Sequence, residues 1–136
     1  MPDATSQAAA IAFRRQADRV QICLIRRRDA DRWGIPKGFV EPGDSARDTA
    51  LNEAREEAGI VGQIVGDRLG TYDYVKRGAR LMVAVYLIEV VELESRWDEA
   101  DVRERKWFSP AEATSLLKSH PVSDLFARTM ERLERR

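Results

Sequence analysis

The chain is predicted to fold as an α+β (mixed α/β) domain. Three observations carry that reading: two early apolar runs joined by a polar turn, one strongly capped helix over 45–58, and a nearly unbroken apolar run over 79–93. Strands that pair as hairpins, mixed with a few amphipathic helices, belong to that class.

The elements follow in order. "AAAIAFRR" reads as a strand and "RVQICLIRRR" as a second, with "RQAD" turning between them. In the second, Val20, Ile22 and Leu24 share one face, while Cys23 and Ile25 take the other. "WGIPKGF" is a loop or short strand, because Pro36 and two glycines oppose a helix. "SARDTALNEAREEA" is a helix. Asp44 and Ser45 are candidate N-caps, Asp48 completes a pattern resembling a capping box, and Gly59 stops it. "GQIVGDRLGTYDYV" and "ARLMVAVYLIEVVEL" are strand-rich, and the second is expected at the sheet centre. "RKWFS" is a short strand. "SPAEATSLLKSH" opens a helix on Ser109 and Pro110, and "VSDLFARTMERLERR" is a terminal amphipathic helix. Residues 1–7 are expected as a flexible tail and 8–136 as a single domain.

Composition narrows the function classes. Lysine plus arginine and aspartate plus glutamate balance at 23 each, so no global field draws in nucleic acid or a membrane. Any charge function must come from local sorting. The lone Cys23 cannot form an internal disulfide and reads as a buried small hydrophobe in a reducing cytosol. One histidine, His120, and one cysteine exclude a zinc site built from those residues. "MPDATSQ" lacks a basic leader, and no run approaches the ~20 apolar residues of a membrane span. A cytoplasmic protein with no membrane partner and no stable nucleic-acid partner is expected, as monomer or homodimer.

Charge is sorted locally on the first helix. Glu53 and Glu57 lie one turn apart and Glu56 sits beside them, at the helix end where the macrodipole is negative. Like charges at that spacing cost a few tenths of a kcal/mol, and the dipole adds to the cost. A bound cation would offset both, and hard carboxylate oxygens suit Mg²⁺ or Mn²⁺. The plain alternative is a solvated acidic face. Ala46, Ala50, Ala54 and Ala58 form a narrow stripe that lets the helix press closely on a neighbour.

The stretch from Gly38 to Ile60 resembles the signature of the Nudix hydrolases, Gly-x5-Glu-x7-Arg-Glu-U-x-Glu-Glu-x-Gly-U, with U bulky aliphatic. Gly38, Glu53, Glu56, Glu57, Gly59 and Ile60 match it. Asp44 stands in place of Glu, Asn52 in place of Arg, and Ala54 is small for the aliphatic slot. The first and second departures fall on the pair that ties loop to helix in the family, so a charged pair is replaced by a shorter, weaker one. "DRWGIPKG" and "ERKWFSPAEATSLLKSHPVSDLF" extend the likeness to the diphosphoinositol polyphosphate and diadenosine polyphosphate branch.

The resemblance implies an α/β/α sandwich with a mixed central sheet and a metal-dependent hydrolase that cleaves diphosphate bonds by water attack. It implies Glu53 and Glu57 as Mg²⁺ ligands (Mn²⁺ being the alternative), with a backbone carbonyl of Lys37 or Gly38 added, and Glu56 as general base. It places Arg28, Arg77, Arg103 and His120 on substrate phosphates, the three arginines lining the far side of the cleft from the glutamate helix. Arg26, Arg27, Lys76 and Arg80 are further basic candidates, each with a solvated surface charge as the plain reading. Trp33 and Tyr74 are candidates to stack on a base, with core packing the alternative for Trp33. Trp107 and Phe108 read as core. Other readings stay open: hydrolysis of nucleoside triphosphates or sugar nucleotides such as ADP-ribose, a non-catalytic nucleotide-binding module, or a protein-interaction domain with a solvated acidic helix.

Overall fold

Strict alternation decides how the first strand is used. In β1 (Thr5–Gln16), Ala9, Ile11 and Phe13 join one buried cluster, while Ala8, Ala10 and Ala12 join the other. The computed structural model describes residues 5–135. These residues form seven strands and three helices: β1, β2 (Arg19–Arg27), β3 (Lys37–Phe39), α1 (Ala46–Ala58), β4 (Ile60–Ile64), β5 (Gly70–Lys76), β6 (Ala79–Leu93), β7 (Arg103–Phe108), α2 (Pro110–Leu116) and α3 (Ser123–Glu134).

The first strand starts at Thr5, so residues 5–7, expected within the flexible tail, belong to the sheet. Their polarity is what misleads. Gln7 is buried, but its side-chain oxygen accepts a hydrogen bond from Tyr74 at 2.7 Å, which satisfies it. The rest of the expected tail, residues 1–4, lies outside the described residues.

The sheet is mixed. β1 runs parallel to β6, and on its other edge pairs antiparallel first with β3 and then with β2. β6 carries β4 and β5 antiparallel along its outer edge, and β7 pairs with β2. The long apolar run is therefore central, as its continuous hydrophobicity predicts. Because β2 and β3 share one edge of β1, they must part, and an Ile25–Gly34 bridge ties β2 to the segment leading into β3.

Helices cover both faces, giving the expected α/β/α sandwich. On one face α2 and α3 bury Ala113, Phe126, Met130 and Leu133 against Ile11, Phe13, Ile22, Leu24, Val85 and Leu87. Each such large side chain contributes about 1.5–3 kcal/mol on burial. On the other face Ala50, Ala54 and Ala58 of α1 meet Ala8, Ala10 and Ala12. Small residues on both sides bring the helix close to the sheet. The full reciprocal capping box forms at α2, between Ser109 and Glu112. At α1 only half of it forms: Ser45 accepts from the Asp48 amide at 3.0 Å, and the shorter Asp48 side chain makes no return bond.

Candidate active site

The site begins with the close approach of α1. Its last turn ends on Gly59 in the left-handed conformation, φ 67°. Arg105 donates to the Ala58 carbonyl at 2.7 Å, setting a cation at the negative end of the helix, and stacks over Trp97 at 4.2 Å. Part of the electrostatic cost of the acidic turn is met there.

The rest is met at β3. Glu57 is only 6% exposed, and its Oε1 accepts the Lys37 amide at 3.2 Å. Its Oε2 lies 3.7 Å from the Arg103 guanidinium, which also bonds Glu99 at 2.5 Å. Burial pushes the Glu57 carboxyl well above the ordinary carboxylate range, against the pull of Arg103. Glu53 is raised too, by burial first, while its hydrogen bond with Glu57 and the Arg103 charge pull it down and the Glu56 and Glu99 charges push it up. Glu57 is buried and Glu53 half-buried, and that burial disposes both carboxyls to bind a proton. A divalent cation can take that proton's place.

The backbone supplies a further oxygen. Pro36 and Val40 exchange backbone bonds with β1, at 3.0 and 2.9 Å. By the alternation of an antiparallel pair, Gly38 also faces β1 and Lys37 faces away from it, towards Glu57. Of the two carbonyls expected as ligands, that of Lys37 is the one on the glutamate side. Gly38 acts through its lack of a side chain: a Cβ there would lie 2.3 Å from Glu53 Cδ. Among the described residues no three His, Cys, Asp or Glu side chains form a ready-made metal cage. Glu53, Glu57 and the Lys37 carbonyl nevertheless fit a hard cation that keeps several ligands as water or substrate oxygen.

Glu56 is exposed and lines a separate hollow of about 400 Å³ with Asn52, Glu94 and Trp97. Glu99 carries no mark in the sequence, yet its amide donates to the Glu56 carbonyl at 3.0 Å and its carboxylate holds Arg103. It sits in an irregular loop where no periodicity marks it.

A cleft of about 580 Å³ opens where β2 and β3 part, reaching Glu57 at one end. Arg26, Arg27, Arg32, Lys37 and Arg103 supply its positive charge. Arg27 and Arg103 are directly opposite each other in the β2–β7 register, a like-charged pair that favours an anion between them. Trp33, Tyr72, Tyr74 and His120 supply aromatic surface. Trp33 packs edge-on against Phe108 at 5.1 Å and also lines the cleft, so core packing does not remove it from the cleft wall. Lys37 Nζ lies 3.2 Å from the Tyr74 hydroxyl, which in turn donates to Gln7.

The structure places the four residues expected on substrate phosphates in different surroundings. Arg103 lines the cleft, but beside Glu57 and not on the far side from α1. Arg28 does not line it: its guanidinium is exposed and donates twice to the Ala100 carbonyl, at 3.2 and 3.0 Å, because the strand ends at Arg27 and turns the next side chain to the β6–β7 loop. Arg77 sits at the exposed tip of the β5–β6 hairpin with φ 52°, also outside the cleft. His120 is in the cleft, yet burial and then the Lys37 and Arg32 charges push its pKa down to about 4. It is a neutral group there at neutral pH, not a phosphate-binding cation.

Comparison with known proteins gives the family and the fold. The chain is 30% identical over 116 residues to human diphosphoinositol polyphosphate phosphohydrolase 3-alpha, across 84% of this chain and 70% of that one. Its fold matches a C. elegans Ap4A hydrolase with a TM-score of 0.77, 22% identity and coverage of 96% and 98% of the two chains. A NUDIX hydrolase from Nitrosomonas europaea superposes with a TM-score of 0.70 at 19% identity, over 91% and 87% of the chains. Residues 5–130 match the NUDIX domain, and the chain belongs to that family.

Proposed function

We propose that the protein is a metal-dependent hydrolase that cleaves a diphosphate bond in a small polyphosphate by attack of water. The observation that carries this reading is the buried Glu57 and half-buried Glu53 under Lys37 and Gly38, at the end of a basic and aromatic cleft. Glu53, Glu57 and the Lys37 carbonyl would hold a divalent cation, Mg²⁺ by the hardness of its donors, with Mn²⁺ the alternative. The cation, when bound, neutralises phosphate charge and acidifies water.

The chain's own groups do the rest. Arg103 and Arg27 orient the phosphates through forked hydrogen bonds. Glu99 fixes Arg103, and Arg103 limits how far the buried Glu57 is driven to hold a proton. Glu56, exposed next to Glu53, takes the proton of the attacking water. No side-chain nucleophile is required: Cys23 is fully buried, and its thiol is raised to about 12 by burial.

Diadenosine polyphosphates and diphosphoinositol polyphosphates are the substrate classes to test first, given the relatives named above. Phosphate release from these, from nucleoside triphosphates and from ADP-ribose should be assayed with Mg²⁺ and with chelator. Release that ignores the chelator, or none on any substrate, would remove the proposal and leave a binding module.

A further inference from the structure

The cleft has two chemically different ends. Toward Glu57 most of its cations are committed, and Arg32 stands apart from these, close enough to His120 to act on it. Arg26 pairs with Glu104 and covers Trp33 at 4.6 Å, Arg27 pairs with Asp29, Arg103 with Glu99 and Glu57, and Lys37 contacts Tyr74. Such a set suits a short phosphate chain better than a ring carrying a phosphate on most of its carbons, which needs many free cations at once.

Around His120 the cleft wall is aromatic, with Lys37 and Arg32 the charges that act on the imidazole. His120 Nδ1 accepts the Val122 amide at 3.0 Å, so the imidazole proton sits on Nε2. That N–H has no hydrogen-bond partner among the described residues. It faces Gly34, where an added Cβ would come within 3.8 Å of Nε2, so the glycine leaves it uncovered. Tyr72 supports the ring edge-on at 5.8 Å, and Trp33 stands in the same cleft.

Resting on the reading of this cleft as the substrate site, we propose that His120 is a specificity-determining residue: its Nε2–H donates to an acceptor atom on an uncharged planar ring of the substrate, held against Trp33. The preferred substrates are then nucleoside polyphosphates, and the base is read through one hydrogen bond. A lysine in its place would favour phosphate and disfavour the base. A neutral donor does the reverse, because it gains little from an anion and a site that hydrogen-bonds a ring atom discriminates against ligands lacking it.

Binding tests this separately from turnover. Dissociation constants would be measured by calorimetry with Mg²⁺ for a methylene-bridged diadenosine tetraphosphate and for a diphosphoinositol polyphosphate. Wild type should prefer the first. His120→Phe should weaken it roughly tenfold, the range of one neutral hydrogen bond, and leave the second unchanged. His120→Gln, which keeps an N–H donor, should stay within a few-fold, and His120→Lys should move the preference towards the inositol compound. Adenine analogues with N1, N3 or N7 replaced by carbon complete the test. One of them must lose as much on wild type as His120→Phe loses, and lose nothing further on that variant. Equal losses on both ligands, or additive losses for every analogue, would overturn the assignment. Turnover assays on the same proteins report separately on the hydrolase reading.

Discussion

The Glu53 carboxyl group occupies the space that a side chain at position 38 would need: a Cβ on Gly38 would lie 2.3 Å from Glu53 Cδ and 2.6 Å from both its oxygens. Gly38 is therefore required for close approach and not for an unusual backbone angle. Gly38→Ala should push Glu53 away from Glu57, because the Lys37–Phe39 strand is fixed to β1 by its pairing. Overpacking of this kind costs about 1–3 kcal/mol, less here since the carboxyl can swing to solvent. Turnover should fall at least tenfold and the Mg²⁺ concentration for half-activity should rise. A melt shows the first effect and a metal titration the second. Wild-type metal dependence in Gly38→Ala would mean that Glu53 is not a ligand.

Glu57 gives a prediction about pH. Its folded carboxyl holds a proton more tightly than the unfolded one, because burial raises it. Where the folded state binds more protons, stability falls as pH rises, here from the ordinary carboxylate range up through the raised value. With chelator present, denaturant melts should therefore lose stability from about pH 5 to pH 8. Glu57→Gln should flatten that slope without unfolding the protein. It should also lower turnover by orders of magnitude, since a ligand charge is lost. A metal-free slope unchanged in Glu57→Gln would place the titration elsewhere.

How much of this was legible in the sequence follows from where physical signals are strong. α1 was readable from Ser45, Gly59 and its alanine stripe, and β6 from its unbroken apolar run. The acids of the last turn were readable as a group, but not their division. Successive helix residues are ~100° apart, so Glu57 turns under β3 and Glu56 towards solvent. Which strand-end arginine enters the cleft depends on where β2 stops, and composition does not mark that point. Glu99 and the neutrality of His120 come from tertiary contacts with Arg103, Val122 and Lys37, which no local pattern records.

Asp44 and Asn52 depart from the family signature, and the structure shows what holds the loop in their absence. Both are exposed, and they share no hydrogen bond. The Asp44 amide bonds the Glu41 carbonyl at 3.0 Å, and Ser45 caps the helix. Asp44→Ala and Asn52→Ala should therefore be additive within about 0.3–0.5 kcal/mol. Combining Asp44→Glu with Asn52→Arg should add coupling of only ~0.2–1 kcal/mol, the range of an exposed ion pair. Coupling well above that in denaturant melts would show that the loop closes on the helix.

Arg103 is set apart from Arg28 and Arg77 by its surroundings. It lines the cleft, bonds Glu99 and faces Glu57, while Arg28 reaches only the Ala100 carbonyl and Arg77 sits on a hairpin tip. Arg103→Ala removes a phosphate donor and the nearest positive charge to Glu57, so KM should rise and kcat should fall together. Arg103→Lys keeps the charge but loses the fork, and should recover kcat more than KM. Arg28→Ala should change both constants less than about threefold, an effect under 1 kcal/mol. Arg77→Gly should leave kinetics alone and raise stability slightly, because φ 52° costs a side-chain residue more than glycine. Steady-state kinetics on a diadenosine polyphosphate and on ADP-ribose, for all four variants, decide the matter. A large KM increase for Arg28→Ala or Arg77→Gly on the longer substrate would mean that it extends beyond the cleft onto the hairpin or the β6–β7 loop.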